Sequence, residues 1–169
     1  MRTQRELRML LAIAAAAVGL ALALGLSEGS GTPSNTLWQA IVSVESGGDL
    51  RAFNPNDGAT GLAQVRSVCL EDANRIAQLR GLNDRFAAAD RNNQRAARRI
   101  WDLYLDFYGK QYEKETGRKP TDEVFARIWN GGPTGWRKTS TLPYWTRVSA
   151  AMKIAPAPET PPPAEAEDL

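Results

Sequence analysis

The sequence predicts an all-α, predominantly helical single domain. Three observations carry this expectation. Apolar residues recur at three- and four-residue spacing in five separate segments between positions 37 and 152. Polar caps and glycine stops bracket those segments. No convincing run of strict apolar–polar alternation interrupts them.

The elements follow in order. Leu37, Trp38, Ile41, Val42 and Val44 give a short helix, opened by the polar Ser34-Asn35-Thr36 and closed by Gly47-Gly48, so Glu45 falls in its last turn. A Gly- and Asn-rich loop covers 49–61. Ser67 is the expected N-cap of a second helix bearing Leu70, Ala73, Ile76 and Ala77 and ending at Gly81. The longest helix is expected from Asp90. Its buried stripe is Ala97, Ile100, Trp101, Tyr104, Leu105 and Tyr108, backed by a solvated face of Arg91, Arg95, Arg98, Arg99 and Asp102. Two shorter helices are expected over 122–129 and 144–152, separated by the loop Asn130-Gly131-Gly132-Pro133-Thr134-Gly135.

Both ends of the 169-residue chain read differently from this middle. Arg2, Arg5 and Arg8 precede an uncharged apolar run over 9–26, the layout of an export signal and also just enough to span a bilayer. A cleaved signal and an uncleaved anchor both fit residues 1–26, and both place the protein outside the cytoplasm, periplasmic or extracellular, possibly held in the inner membrane. Residues 27–34 form a linker, 35–154 the domain, and 155–169 a Pro- and acid-rich tail too poor in apolar surface to fold.

Composition narrows the chemistry. The chain has no His, which removes Ser-His-Asp and Cys-His catalysis and the commonest metal ligand, so acid–base work must rest on carboxylates. No metal or cofactor is expected. The single Cys69 cannot pair internally and reads as a small buried apolar residue. Residues 27–154 carry 18 Lys and Arg against 14 Asp and Glu. That surplus is too small to identify a partner, and the interleaved acids among the arginines of the long helix argue against nucleic-acid binding.

Three local features remain: Glu45-Ser46-Gly47-Gly48; Asn54-Pro55 followed by Gly58-Ala59-Thr60-Gly61-Leu62-Ala63-Gln64-Val65; and Asn130-Gly131-Gly132-Pro133. Their order resembles the soluble lytic transglycosylases (SLT domains) and goose-type lysozymes, which have a Glu-Ser at a helix end, a Gly-Leu-Met-Gln segment and an Asn-(Ala/Gly)-Gly loop. The rear stretch, from Arg127-Ile128-Trp129-Asn130 through Tyr144-Trp145-Thr146-Arg147-Val148, is also similar to invertebrate-type lysozymes, which share the lysozyme-like fold. Two departures stand out. Ala63 replaces the Met usual before the cleft Gln, and Ile128-Trp129 replaces the usual Ala-Tyr.

The resemblance implies a peptidoglycan-cleaving enzyme, a monomer, acting on the β-1,4 bond between N-acetylmuramic acid and N-acetylglucosamine. Glu45 would be the general acid, kept protonated by desolvation at its helix end. In the transglycosylase reading, which the motif order favours, Glu45 then acts as base and no second carboxylate is needed. In the invertebrate-type reading a hydrolase requires a second acid, for which Asp57 is the candidate, with Asp49 behind it. Within Asn54-Pro55-Asn56-Asp57-Gly58, Asp57 also reads as an ordinary turn residue. By resemblance Gln64 lines the cleft, Asn130 hydrogen-bonds the glycan near the cleaved bond, Tyr144 faces Glu45 from the last helix, and Ser46 belongs to the substrate-binding set. A noncatalytic glycan-binding protein is the competing class; its mark would be loss of the acid at position 45.

Overall fold

The structure, a computed structural model, describes residues 31–154. The export segment, the first half of the linker and the acidic tail expected from the sequence lie outside the described residues. Five α-helices order this region: α1 (Asn35–Ser46), α2 (Ser67–Leu79), α3 (Gln94–Thr116), α4 (Asp122–Gly131) and α5 (Leu142–Ile154). Short 3-10 turns cover Ala88–Asn92, Gly135–Arg137 and Thr139–Thr141. Among the described residues the only extended pairing is two isolated bridges, Phe53 with Thr60 and Thr60 with Val65. The all-α expectation holds.

α3 is the axis of the core. Ala97, Ile100, Trp101 and Leu105 have no exposed surface, and Trp101 meets Trp38 of α1 edge-on with ring centroids 5.3 Å apart. Leu37 and Ile41 from α1, Ile76 from α2, Phe125 and Ile128 from α4 and Val148 from α5 complete the same fully buried cluster. The contact between α3 and α4 is close: a Cβ on Gly109 would come within 2.6 Å of the Phe125 ring, so the missing side chain is what lets that ring lie against the α3 backbone.

The caps explain where the sequence-based boundaries hold and where they move. Ser34 accepts from the Leu37 amide at 3.0 Å and donates to Asp122 at 3.1 Å, tying the starts of α1 and α4 together. Gly47 ends α1 in the left-handed conformation, φ 62°. Ser67 is not the cap of α2. It is the first helical residue, and Arg66 stands at the cap with no side-chain bond. The long helix does not start at Asp90, because Asn93 accepts from the Ala96 amide and caps α3 at Gln94, while Asp90 bonds the Ala87 amide inside a separate 3-10 turn. Asn130 and Gly131 belong to the last turn of α4 rather than to the loop after it.

That change moves Arg91 off the solvated helix face. Its guanidinium instead donates to the carbonyls of Gly58 (3.0 Å) and Val65 (3.2 Å), gripping the loop that follows α1. Gly61 lies against the same turn with φ 79°, and a Cβ there would sit 1.9 Å from the Arg91 carbonyl oxygen. Of the arginines left on α3, two are also engaged: Arg98 pairs with Asp102 and lies over Trp38 and Trp101, and Arg99 pairs with Asp84, while Arg95 is exposed. Gly61→Ala combines a backbone clash with left-handed strain, and is expected to cost about 2 kcal/mol or more and lower Tm by about 5 °C or more in thermal unfolding. An unchanged Tm would contradict this close approach.

Candidate active site

Glu45 sits in the last turn of α1, where α5 crosses it. The Tyr144 hydroxyl donates to Glu45 Oε1 at 2.7 Å, and Tyr144 is itself buried, 4% exposed. Burial pushes the Glu45 carboxyl above its ordinary value of 4.5. Opposing this are the Tyr144 hydrogen bond and the positive charges of Arg147 and Arg66, while the negative charge of Asp57 adds to the rise. Burial also raises the Tyr144 phenol, so the tyrosine stays neutral and is the donor in this pair.

A doubly tied loop lies next to the acid. Asn54 and Ala52 exchange backbone bonds with Ala59 and Gly61, and Thr60 and Val65 bond each other reciprocally, folding 52–65 into a compact double turn. Ser46 fastens this turn to α1, its hydroxyl within reach of the carbonyls of Leu62 (2.8 Å) and Val42 (3.1 Å). From α4, the Trp129 indole N–H donates to the Ala63 carbonyl at 3.2 Å. Gln64 has φ 51°, left-handed for a non-glycine residue, and its amide donates to the carbonyls of Ala52 (3.2 Å) and Gly61 (3.0 Å). Ser46 and Gln64 thus spend their hydrogen-bonding groups on the backbone that shapes the site.

Asp57 is exposed at the tip of this turn. One carboxylate oxygen accepts from the Ala59 amide at 3.2 Å, as the turn reading of its motif requires, and the other carries no hydrogen bond among the described residues. Asn130 is exposed at the end of α4, and its side chain makes no hydrogen bond among the described residues. The segment after it is folded back by Lys138, which donates to the Gly131 carbonyl, and by Arg127, which donates to Thr141 at 3.0 Å. This return delivers Tyr144 to Glu45.

Sequence reasoning overlooked Arg66 and Arg147. Arg147 follows Tyr144 by three positions on α5, within the same face, and its guanidinium lies 5.7 Å from the Tyr144 ring centre. Arg66 directly follows the Gly61-to-Val65 segment. Both signals were in the spacing. Neither arginine makes an ion pair among the described residues, so both keep free charge beside the acid. Cys69 is half-buried with its thiol pushed up to about 12, which leaves it neutral and unreactive at physiological pH.

Two consequences can be measured. Because Glu45 holds its proton to higher pH in the folded chain than in the unfolded chain, its ionisation opposes folding from about pH 4.5 upward. Glu45→Gln is therefore expected to raise Tm at pH 7–8, with the gain over wild type vanishing as pH falls below about 4.5; a gain that persists at low pH would contradict the buried-acid geometry. Tyr144→Phe removes a donor that favours the carboxylate, so the alkaline limb of any Glu45-dependent pH–rate profile should move to higher pH. A shift toward acid would contradict it.

No family model matches the chain. Among curated proteins it is similar to invertebrate lysozymes: 46% identical over 43 residues to lysozyme 1 of Crassostrea virginica, 46% over 46 residues to the Meretrix lusoria lysozyme, and 49% over 41 residues to the Magallana gigas lysozyme. These stretches cover 25%, 27% and 24% of this chain and only 23%, 38% and 30% of the respective relatives. The structural likeness is broader. The inhibitor-bound lysozyme from Meretrix lusoria superposes with a TM-score of 0.55 at 26% identity, over 72% of this chain and 93% of that one. The complex of that lysozyme with Aeromonas hydrophila PliI gives 0.57 at 24% identity over 70% and 89%, and the Tapes japonica lysozyme 0.55 at 22% over 71% and 91%. Of the two likenesses in the sequence, these findings side with the invertebrate-type lysozymes, and the SLT and goose-type specificity finds no support in them. The five helices of the described residues thus form an all-α domain with a lysozyme-like fold.

Proposed function

We propose that this chain is a lysozyme-type glycoside hydrolase that cleaves the β-1,4 bond between N-acetylmuramic acid and N-acetylglucosamine in peptidoglycan. The observation that carries the reading is Glu45, a carboxyl whose burial holds its proton at the end of α1, against the neutral Tyr144 and within the electrostatic reach of a second carboxyl, Asp57. The likeness to invertebrate lysozymes supports it over the transglycosylase alternative.

In this reading Glu45 gives its proton to the glycosidic oxygen as the bond to the anomeric carbon breaks, and the leaving sugar departs as an alcohol. The Asp57 carboxylate, through the oxygen its turn leaves free, meets the developing positive charge at that carbon. Glu45, now ionised, takes a proton from the incoming water, whose oxygen completes a reducing muramyl end. Tyr144 holds Glu45 in place, and its hydrogen bond favours the carboxylate that forms during the first step. Asn130, with its amide free at the end of α4, is assigned to the bound glycan, and Ser46 and Gln64 act by fixing the loop that carries Asp57. An exported, extracytoplasmic location follows from the substrate and from the apolar run over 9–26.

Mass spectrometry of peptidoglycan digested by the wild-type chain is expected to show reducing muramyl ends. Glu45→Gln should lower the rate by about 100-fold or more, and Asp57→Asn by at least about tenfold. Anhydromuramyl ends with an active Asp57→Asn variant would establish transglycosylation instead. Full activity in Glu45→Gln would remove the assignment altogether.

A further inference from the structure

A cavity of about 490 Å³, bordered by Arg66, lies between the first turns of α2 and the end of α4. Its apolar surface comes from Tyr104, Trp129, Val68 and Cys69, and four charged side chains, Arg66, Glu71, Asp72 and Arg75, stand around it. These four are not equivalent. Asp72 is fully engaged, accepting the Tyr108 hydroxyl at 2.5 Å and pairing with Arg75 at 2.6 Å, and Arg75 also donates to Tyr108. Arg66, at the cap of α2, and Glu71, five residues on in the helix, are exposed and take part in no ion pair or side-chain hydrogen bond among the described residues. The cavity therefore offers one free positive and one free negative charge over an aromatic floor.

Two links join it to the bond-cleaving centre. The Arg66 guanidinium acts on the Glu45 carboxyl, and Trp129, which forms part of the cavity wall, immediately precedes Asn130 and holds the Asp57 loop through Ala63. The cavity and Glu45 thus share Arg66, and both adjoin the loop that Trp129 holds. The free charges call for a flexible group with both a carboxylate and an ammonium, and the volume falls within the roughly 300–1,000 Å³ of small-ligand sites. A neutral sugar ring satisfies the aromatic surface but neither charge.

Resting on the hydrolase reading above, we propose that this cavity receives the peptide stem of the muramyl residue, Arg66 pairing with a stem carboxylate and Glu71 with a stem amino group. The enzyme would then select peptide-substituted strands over bare glycan. The fold loses nothing if these two charges are removed, since neither holds another residue.

The test compares the full-length wild type, Arg66→Gln and Glu71→Gln on peptidoglycan strands carrying their peptides and on the same strands stripped of them by an amidase. Each variant should lower the ratio of kcat/KM for peptide-bearing over stripped strands by about tenfold, mainly through KM. Loss of the Arg66 charge also alters Glu45, but that effect falls on both substrates and cancels in the ratio. Binding of a soluble muramyl tripeptide by calorimetry gives a readout independent of cleavage and should weaken by a similar factor. If wild type cuts neither strand yet binds the muramyl tripeptide in a way that depends on Arg66 and Glu71, the cavity assignment stands and the hydrolase reading fails. An unchanged ratio together with charge-independent binding overturns the cavity assignment, whatever the outcome of the cleavage.

Discussion

The site depends on one carboxyl being taken out of water at a place where a helix ends. Glu45 lies at the last turn of α1, and α5 crosses close enough for Tyr144 to bond it directly. Removing a carboxylate from solvent disfavours its charge, and a hydrogen bond from a neutral phenol returns only part of what hydration supplied, so burial remains the largest influence on Glu45. The rest of the domain brings these two helix segments, 99 positions apart in the chain, to within hydrogen-bonding distance. α1 meets the α3 stripe through Trp38 and Trp101, α5 packs against α1 and α4 in the same core, and the folded-back 130–141 segment fixes where α5 begins.

A second constraint governs the other side of the acid. The 52–65 double turn buries Ala59, Leu62, Ala63 and Val65 and is held further by its ties: Ser46 from α1, Trp129 from α4, and Arg91 from the turn before α3, against whose carbonyl Gly61 lies. Three separate elements position one short loop, and Asp57 rides at its tip. Asp57 itself stays exposed while Glu45 is half-buried, so the two carboxyls stand in different environments. A half-buried carboxyl beside an exposed one is the contrast of environments on which the proposed hydrolase reading rests.

Much of this was legible in the sequence, for physical reasons. The α3 stripe and the α1 boundaries follow from helical periodicity and from caps whose chemistry is local: a Ser hydroxyl at one end, a left-handed glycine at the other. The pairing of Glu45 with Tyr144 came from a resemblance of motifs and not from spacing, because no local rule joins residues so far apart. The start of α3 was misplaced because Asp90 and Asn93 are both good caps, and only the three-dimensional setting decides that Asn93 wins. Gln64 and Ser46 read as cleft residues, whereas their side chains bond the backbone of the adjoining loop; a polar side chain does not reveal from sequence whether it serves a ligand or the fold. Spacing puts Arg66 and Arg147 beside the site motifs, but that neither has an ion-pair partner depends on which acids the folded chain brings within reach.

The central claim is that Glu45 is a buried acid holding its proton above the normal carboxyl range. The most direct measurement is a pH titration by NMR of the chain labelled with carboxyl-13C glutamate, with Glu45→Gln identifying the resonance that disappears. The account predicts that this resonance titrates above 4.5 and moves higher still in Tyr144→Phe. A Glu45 resonance that titrates at or below 4.5 would contradict it, leaving an ionised carboxylate with no proton to give.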